Sequence, residues 1–325
     1  MIIDFEHHVM PYEAWKKKGG KEQQAVRLFS ADGAPMLSLY SAIHDIELHL
    51  KTMDIAGIDM AVLSNNADDL EEAKLFNNFF SEVARRYPKR FVGFASIVPL
   101  GGKPAFEEMD RAIKELGLRG VTIPAQGDGY LLDSPELWPF YEKVSELRIP
   151  IYVHVSTAPK GFDACKAPYD LNRSLVRDLD LMLATTRVCL GGVLEKFPDL
   201  KFIVAHFGGG ISSIKERLER YVRYWGAKFW NGKPLISEPY AERFNEHFNK
   251  IYFNMAGREI GIDTIKCALT NISPRRIVFG TDYPQNFVDD PIGMKTYIEK
   301  IKQLDIDKKS IEAMLGTNGI QLLGL

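Results

Sequence analysis

The sequence predicts a single (β/α)8 TIM barrel, and three observations support this fold class. Eight short apolar segments of strand type occur along the 325 residues, each is followed by a helical segment, and the strand segments are nearly continuous apolar runs. Strands of that kind are buried on both faces, as in parallel sheets. A (β/α)8 barrel needs about 250 residues before insertions, so residues 1–325 are expected to form one elaborated domain. An open doubly wound sheet is the alternative.

The first predicted strand ends in three consecutive ionisable residues, Glu6, His7 and His8. Strand side chains alternate between faces, so Glu6 and His8 point one way and His7 the other. In a closed barrel, the face that carries Glu6 and His8 looks into the centre. A carboxylate and an imidazole are costly to desolvate unless they are paired or bind a cation. The pair is therefore a candidate part of a metal site; a solvent-facing pair at a strand end is the alternative.

The remaining units are predicted in order along the chain. Residues 11–43 have no sustained hydrophobic period, and we interpret them as a long first loop that covers the site. In the helix at 68–87, Phe76, Phe80 and Val83 fall on one apolar face. Strands two to eight are predicted at 60–64, 91–98, 120–123, 150–156, 201–206, 251–255 and 276–280. Helices are predicted at 44–56, 68–87, 104–116, 134–147, 171–197 and 260–269, with one helix after 208–210, an insertion at 227–249 before strand seven, and two closing helices.

The run Gly208-Gly209-Gly210 has two interpretations. It makes a tight turn between a strand and a helix, or it leaves room for the anionic end of a substrate near a helix N-terminus.

Composition excludes several classes of function. The formal net charge is -2 and charges of both signs are mixed, which does not favour nucleic acid or an anionic membrane surface as a partner. The three cysteines are widely spaced, which argues against a disulfide framework and fits a reducing cytoplasm. No apolar stretch approaches the roughly 18 residues of a membrane span, and Asp4 and Glu6 interrupt the N-terminal apolar run before a signal-peptide core is complete. Nucleophile-elbow, phosphate-loop and dinucleotide motifs are absent.

Four predicted strands end in residues that bind metal ions well. Active sites of parallel barrels lie at the carboxyl ends of the strands. Carboxylates and imidazoles together suit a divalent metal ion. A core histidine or a turn-capping aspartate would explain each residue singly, but their shared position favours a metal site. The residues are Glu6 and His8 on strand one, His154 on strand five, His206 on strand six and Asp282 after strand eight.

Four stretches carry a resemblance to a known family: residues 3–8, 152–154, 191–210 and 279–284. They resemble the amidohydrolase superfamily, in particular the amidohydrolase-related branch similar to aminocarboxymuconate semialdehyde decarboxylase and γ-resorcylate decarboxylase. The resemblance runs from residue 3 to about 320. It implies one zinc or manganese ion, with Glu6, His8, His154 and Asp282 as ligands and His206 beside the metal.

Two details of the sequence narrow down which members of this branch the chain resembles. Strand one carries Glu6-x-His8 where many members have His-x-His, and this form is associated with decarboxylases of hydroxylated aromatic acids. Members with two metals bridge them by a lysine on strand four, and residues 120–124 contain none, so the resemblance implies one metal.

The same resemblance suggests substrate-binding residues. Arg217 matches an arginine that similar enzymes extend into the site of a neighbouring subunit, which implies a homodimer; a solvated helix charge is the alternative. The semialdehyde decarboxylases carry arginines where this chain aligns His49 and Lys51. His49 is therefore a candidate substrate-binding residue, in a carboxylate-binding arrangement that differs from theirs.

These observations predict a metal-dependent non-oxidative decarboxylase, a carboxy-lyase, acting on a small hydroxylated aromatic or related unsaturated carboxylic acid. Asp282 is assigned the proton transfer to carbon, and His206 binds the substrate oxygen or helps to shuttle the proton. Two alternatives stay open. One is a metal-dependent hydrolase of a lactone or amide, in which His206 or Asp282 takes a proton from water. The other is a barrel that binds metal or a small acid without turnover.

Overall fold

In the part of the chain that the structure describes, the parallel strands lie side by side in the same order as in the sequence. The computed structural model describes residues 1–21, 25–29, 35–157, 159–162, 165, 171–225, 240–257 and 261–325. The strands are β1 Ile3–His7, β2 Val26–Phe29, β3 Pro35–Leu39, β4 Met60–Leu63, β5 Phe91–Gly93, β6 Ala95–Ser96, β7 Val121–Pro124, β8 Gln126–Gly127, β9 Tyr130–Leu131, β10 Pro150–His154, β11 Lys201–Val204, β12 Tyr252–Asn254 and β13 Ile277–Val278.

The parallel strands form two sheets, and the extended segment 91–96 belongs to both of them. One sheet has the order β1-β4-β5 and the other β13-β12-β11-β10-β7-β6, and β5 and β6 flank Phe94. At the other edge, Phe5 N donates to Phe279 O at 2.8 Å and His8 N donates to Tyr283 O at 2.7 Å, so β1 contacts the chain after β13. In the described residues this second junction consists of isolated bonds and one bridge, His7 with Tyr283, and not of a continuous ladder.

Helices connect the successive strands. They are α1 Tyr12–Lys17, α2 Ile46–Ala56, α3 Leu70–Arg86, α4 Gly102–Lys114, α5 Trp138–Leu147, α6 Arg177–Leu190, α7 Val193–Lys196, α8 His206–Gly210, α9 Lys215–Trp225, α10 Tyr240–Phe248, α11 Ile262–Leu269, α12 Pro291–Lys302, α13 Lys308–Glu312 and α14 Asn318–Leu323. In α3, Phe76, Phe80 and Val83 are buried as predicted, and the Asp69 side chain caps the first turn by accepting from Glu72 N. No helix in these described ranges is long and apolar enough to cross a membrane.

The predicted helix at 171–197 is divided in the structure. A π-helical turn, Asn172–Val176, precedes α6, and Gly191 and Gly192 separate α6 from α7. Gly192 has φ +84°, a left-handed conformation that ends a right-handed helix. The hydrophobic period continues across this break, which is why the sequence pattern alone predicts one long helix.

The segment after β1 has more regular structure than a loop. Residues 12–17 form α1, and β2 and β3 form an antiparallel hairpin in which Leu28 pairs with Leu37. Residues 22–24 and 30–34 lie outside the described residues. The insertion before strand seven is described only from residue 240, where α10 buries Phe244 and Phe248.

The glycine run after β11 makes a left-handed turn. His206, Phe207 and Gly208 to Gly210 all have φ between +51° and +73°. A Cβ at Gly209 would lie 1.8 Å from the carbonyl oxygen of Asp178 on α6. Because α8 has only these five residues, we assign the run to the tight turn and not to an anion site at a helix N-terminus.

We predict that Gly209→Ala lowers the free energy of unfolding far more than Gly210→Ala. Gly210 has φ +73°, and a methyl group added there would have nothing within 4 Å. Its substitution should therefore cost only the about 1–2 kcal/mol that a residue with a Cβ loses in the left-handed conformation. Gly209→Ala adds an overlap with the Asp178 backbone and should cost at least about 2 kcal/mol more. Urea unfolding of both variants measures the difference; equal losses would contradict the close approach.

Candidate metal centre

Four side chains from three parts of the barrel meet at one point. Glu6 and His8 come from β1 and the residue after it, His154 ends β10, and Asp282 follows β13. One ligand atom from each of the four lies within 4.8 Å of the others. The structure therefore brings together the four residues that the sequence suggests as metal ligands.

Glu6 provides a buried negative charge at this point. Its side chain is 0% exposed, and Oε1 lies 3.3 Å from His154 Nε2 and 3.5 Å from His206 Nε2. Burial alone would raise the pKa of Glu6, but the two imidazoles beside Oε1 outweigh it and hold the pKa well below its usual range. Glu6 is thus a carboxylate that needs positive charge beside it.

His8 is held in the tautomer that a metal ligand needs. Its Nδ1 donates to Ser64 O at 2.9 Å, which leaves the Nε2 lone pair directed towards Asp282 Oδ1 at 3.1 Å. Without a cation, burial opposes the charged ring, but Asp282 and Glu6 outweigh it and raise the pKa of His8 to about 9. Asn286 Nδ2 donates to the other oxygen of Asp282 at 3.1 Å and fixes that carboxylate.

Three buried atoms in the cluster fit a metal ion. Within the described residues, Glu6 Oε1, Glu6 Oε2 and His8 Nε2 are buried and have no geometrically sound hydrogen bond. Unsatisfied buried polar atoms are rare in native proteins, and they call for an ion or a ligand. Two carboxylates and two imidazoles can hold one divalent ion of the zinc or manganese type.

His206 lies beside the cluster and is oriented by Asp178, a residue that sequence analysis missed. His206 Nδ1 donates to Asp178 Oδ1 at 3.1 Å, while Nε2 faces Glu6. Burial would lower the pKa of His206, but Asp178 and Glu6 raise it well above its usual value. The two residues are 28 positions apart in sequence, and a helical aspartate carries no signal of this contact.

His49, suggested as a substrate-binding residue, lies away from the cavity. It is fully buried, its Nε2 donates to Ala42 O at 2.8 Å, and its Nδ1 lies 2.7 Å from His7 Nε2. Both ring nitrogens are therefore engaged within the protein, and the structure gives His49 no access to a substrate.

Instead, His49 ends a buried hydrogen-bonded chain behind β1. Asp4 accepts from Thr281 N and lies 2.8 Å from His7 Nδ1. The chain ends in the Asp4 carboxylate and the Ala42 carbonyl, which only accept, so the outer ring nitrogens of His7 and His49 donate to them. Burial, together with the neighbouring ring of His7, holds the pKa of His49 well below its usual range. This His7–Asp4 pair fixes the strand that presents Glu6 and His8.

The cluster opens into a cavity of about 530 Å³. His8, His154, His206 and Asp282 lie at its metal end. Leu28, Leu39 and Tyr40 belong to the hairpin segment and line the cavity, which agrees with the covering role predicted for residues 11–43. The lining also includes Met10, Lys18, Ile43, Asn65, Asn66, Asp68, Phe76, Val155, Thr157, Arg173, Ser174, Arg177 and Gln285.

Arg217 is not among the residues that line the cavity of its own chain. It is exposed on α9, and Tyr221, one turn later, is 62% exposed. A role of Arg217 in the site of a neighbouring subunit therefore stays a prediction.

The barrel and its cluster of carboxylates and imidazoles define an α/β-barrel protein with a site that can hold a divalent metal ion. The family model described as amidohydrolase matches residues 3–325, and the chain belongs to this family.

Among curated relatives, it is 26% identical to 2-amino-3-carboxymuconate-6-semialdehyde decarboxylase of Dictyostelium discoideum, over 90% of this chain and 80% of that protein. It is 26% identical to γ-resorcylate decarboxylase of a Polaromonas species, over 84% and 86% of the two chains. It is also 24% identical to 2-keto-4-carboxy-3-hexenedioate hydratase of a Sphingobium species, over 87% and 83%.

Solved structures share the fold over the whole chain and confirm the predicted fold class. The 5-carboxyvanillate decarboxylase of Sphingomonas paucimobilis superposes with a TM-score of 0.80 at 19% identity, covering 100% of this chain and 99% of that one. A dihydroxybenzoic acid decarboxylase of a Polaromonas species, solved with bound manganese, has a TM-score of 0.72 at 22% identity, with 100% and 97% covered.

We predict that metal affinity rises with pH up to about 9. In the metal-free protein His8 is protonated below its pKa of about 9, so binding must release that proton. The apparent affinity should gain roughly tenfold per pH unit between pH 7 and 8 and level off above 9. Calorimetry with Mn²⁺ or Zn²⁺ in buffers of different ionisation enthalpy measures both affinity and proton release.

Two histidine variants test this assignment, one inside the cluster and one outside it as the matched control. His8→Asn should lower affinity at least about a hundredfold and flatten the pH profile, whereas His44→Asn, outside the cluster, should change neither. A wild-type affinity that is constant from pH 7 to 9 would contradict the assignment.

Proposed function

We propose that this protein is a metal-dependent non-oxidative decarboxylase of a small hydroxylated aromatic or related unsaturated carboxylic acid. The observation that carries the proposal is the Glu6, His8, His154 and Asp282 cluster at the end of a cavity, with His206 held beside it by Asp178. The decarboxylase names of relatives at about 26% identity support this reaction. One divalent ion would complete the site, and the manganese in a structural neighbour favours manganese over zinc.

Glu6, His8, His154 and Asp282 would hold that ion. When bound, it supplies positive charge that orients the substrate's carboxylate and stabilises negative charge on substrate oxygen. The chain itself supplies the proton chemistry and the positioning.

Asp282 is the proposed proton donor. In its protonated form it gives a proton to the ring carbon that bears the carboxylate, and ring π electrons form the new C–H bond. The C–C bond then breaks, its electron pair returns to the ring, and CO2 leaves. Asp282 remains as a carboxylate and regains a proton from solvent. Asn286, which donates to Asp282 Oδ2, keeps the carboxyl group in place during both steps.

His206 is the proposed hydrogen-bond donor to the substrate. Asp178 accepts from Nδ1, and Asp178 and Glu6 raise the pKa of the ring, so the charged ring also carries Nε2–H, which faces Glu6 and can donate to a substrate oxygen. A charged donor of this kind stabilises negative charge that grows during bond breaking.

A water-using reaction, hydration or hydrolysis of a lactone or amide, is the second candidate. The same metal ligands could activate water, with His206 or Asp282 as the base. The observation in its favour is the relative named as a hydratase.

We further propose that residues 1–325 form one domain that works as a cytoplasmic homodimer, with neither nucleic acid nor membrane as a partner. Arg217 and Tyr221 share one exposed face of α9, which suits a subunit interface. The mixed charge and the free Cys165, Cys189 and Cys267 are compatible with a reducing compartment.

We predict release of CO2 from 2,6-dihydroxybenzoate or 5-carboxyvanillate by the metal-loaded protein. In D2O the product should carry one deuterium at the carbon that lost CO2, and no oxygen from 18O-labelled water should enter it. Asp282→Asn should lower kcat by about 10²–10⁴-fold at saturating metal. Metal-stripped protein is the control. Labelled oxygen in the product would indicate the water-using reaction, and binding without product across the panel would indicate a non-catalytic barrel.

We also predict that Arg217→Ala lowers activity at least about tenfold with unchanged metal content. Arg220→Ala, which removes a neighbouring exposed charge on α9, is the matched control and should retain activity. If Arg217 acts in the partner's site, mixing Arg217→Ala with Asp282→Asn subunits restores up to about a quarter of wild-type activity, because each mixed dimer has one intact site. Full activity of Arg217→Ala would refute the role.

A further inference from the structure

The junction between β1 and residues 279–283, the seam, divides the metal ligands into two groups. Glu6 and His8 belong to the β1 side, and Asp282 belongs to the other side. A continuous ladder of backbone bonds fixes the distance between two strands along their length. Among the described residues, the seam has only single backbone bonds and one bridge. The relative position of the two groups of ligands therefore depends on side-chain contacts across the seam.

The Asp4 carboxylate makes such a contact. It is 0% exposed. Its Oδ1 accepts from Thr281 N at 2.9 Å and from Glu6 N at 3.1 Å. Its Oδ2 accepts from Thr281 Oγ1 at 2.5 Å and from His7 Nδ1 at 2.8 Å. A carboxylate has about four lone-pair positions, so these four donors use the full acceptor capacity of Asp4. The group thus binds the backbone of a metal ligand on one side of the seam and Thr281 on the other.

The Thr281 hydroxyl extends this contact to Asp282. Its oxygen accepts from Tyr283 N at 3.2 Å, while its proton is donated to Asp4. Asp282 lies between these two residues and has φ +56°, in the left-handed region. A non-glycine residue keeps that conformation only where the surrounding structure fixes it. The hydroxyl fixes the backbone on both sides of Asp282, and with it the direction of the Asp282 carboxylate.

Neither Asp4 nor Thr281 can act on a substrate directly. Both are 0% exposed, and neither is among the residues that line the cavity. They are also not part of the cluster of four ligands. Any effect of these two residues on the site must therefore pass through the ligands that they hold.

We propose that Asp4 and Thr281 are positioning residues of the metal site, which set the separation between Glu6 on β1 and Asp282 across the seam. The ligand atoms lie within 4.8 Å of one another. Metal–ligand distances tolerate changes of only about 0.2 Å, so a small shift across the seam removes a ligand. The dependence is mutual, because a cation bound by ligands from both sides also holds the seam together. The inference rests on the metal-binding part of the proposed function and not on the reaction.

A neutral pair of variants tests the Thr281 hydroxyl. Thr281→Val has nearly the same shape and lacks the hydroxyl, whereas Thr281→Ser keeps it. The affinity for Mn²⁺, measured by calorimetry, should fall at least about tenfold in Thr281→Val and stay within about threefold of wild type in Thr281→Ser. Neither substitution changes the charge of the site. Rescue by serine therefore separates the hydrogen bonds of the hydroxyl from the packing of the branched side chain.

A second pair of variants tests the carboxylate. Asp4→Asn replaces one oxygen by an amide nitrogen that only donates, so two of the four donors lose their acceptor. Asp180→Asn is the matched control, because Asp180 is 1% exposed, accepts from Gln126 Nε2 at 2.6 Å and lies outside the cluster. Affinity for Mn²⁺ should fall at least about tenfold in Asp4→Asn and stay within about threefold of wild type in Asp180→Asn. Circular dichroism establishes that each variant is folded.

Hydrogen exchange reports on the seam itself. The amides of Phe5 and His8 donate across it, to Phe279 O and Tyr283 O. Added Mn²⁺ should slow the exchange of both amides in the wild type. In metal-free Thr281→Val they should exchange at least about tenfold faster than in the metal-free wild type. Amides of β10, which is paired with strands on both sides, are the reference and should change less.

Three results overturn the proposal while leaving the metal site in place. They are a wild-type affinity in Thr281→Val, equal losses of affinity in the valine and serine variants, and equally faster exchange at the seam and in β10. A loss in Asp180→Asn as large as that in Asp4→Asn also overturns it. If the wild type binds neither Mn²⁺ nor Zn²⁺, the metal site and this inference fail together. If the variants behave as expected but the metal-loaded wild type releases no CO2 from any acid, the positioning role stands and the decarboxylase function fails.

Discussion

The buried charge of Glu6 is the constraint on which the site depends. A carboxylate with 0% exposure and no sound hydrogen bond among the described residues is unstable unless positive charge surrounds it. His154 and His206 approach one of its oxygens. Glu6, His8, His154 and Asp282 together can hold a cation beside this carboxylate. Most features around the site either supply this charge or keep it in place.

The supporting contacts come from every side of the cluster. Ser64 O fixes the tautomer of His8, Asp178 fixes that of His206, and the His7–Asp4 pair fixes β1 from behind. Asp282 and His206 both have φ above +50°, a conformation that non-glycine residues adopt at a cost of about 1–2 kcal/mol. The fold therefore accepts backbone strain at two residues of the candidate site, whose side chains are directed towards one point.

Helix α6 contacts both the metal end and the wall of the cavity. Asp178 orients His206, and Arg177, one residue earlier, lines the cavity. Gly209 permits this arrangement, because a side chain there would overlap the Asp178 backbone. A change in the turn after β11 would thus alter both the orientation of His206 and the shape of the cavity.

The sequence by itself determined the alternation of the parallel strands with helices and the residue types at the strand ends. Both follow from local periodicity and from the rule that the carboxyl ends of parallel strands share one edge, and so Glu6, His8, His154, His206 and Asp282 could be named together. Only the tertiary structure decided which partners these residues have. The contact of Asp178 with His206, the enclosure of His49, the hairpin within 11–43 and the cavity position of Arg173 and Arg177 depend on how distant segments pack. Packing of that kind has no period in the sequence, because it arises from the three-dimensional approach of segments and not from the spacing of residues along any one of them.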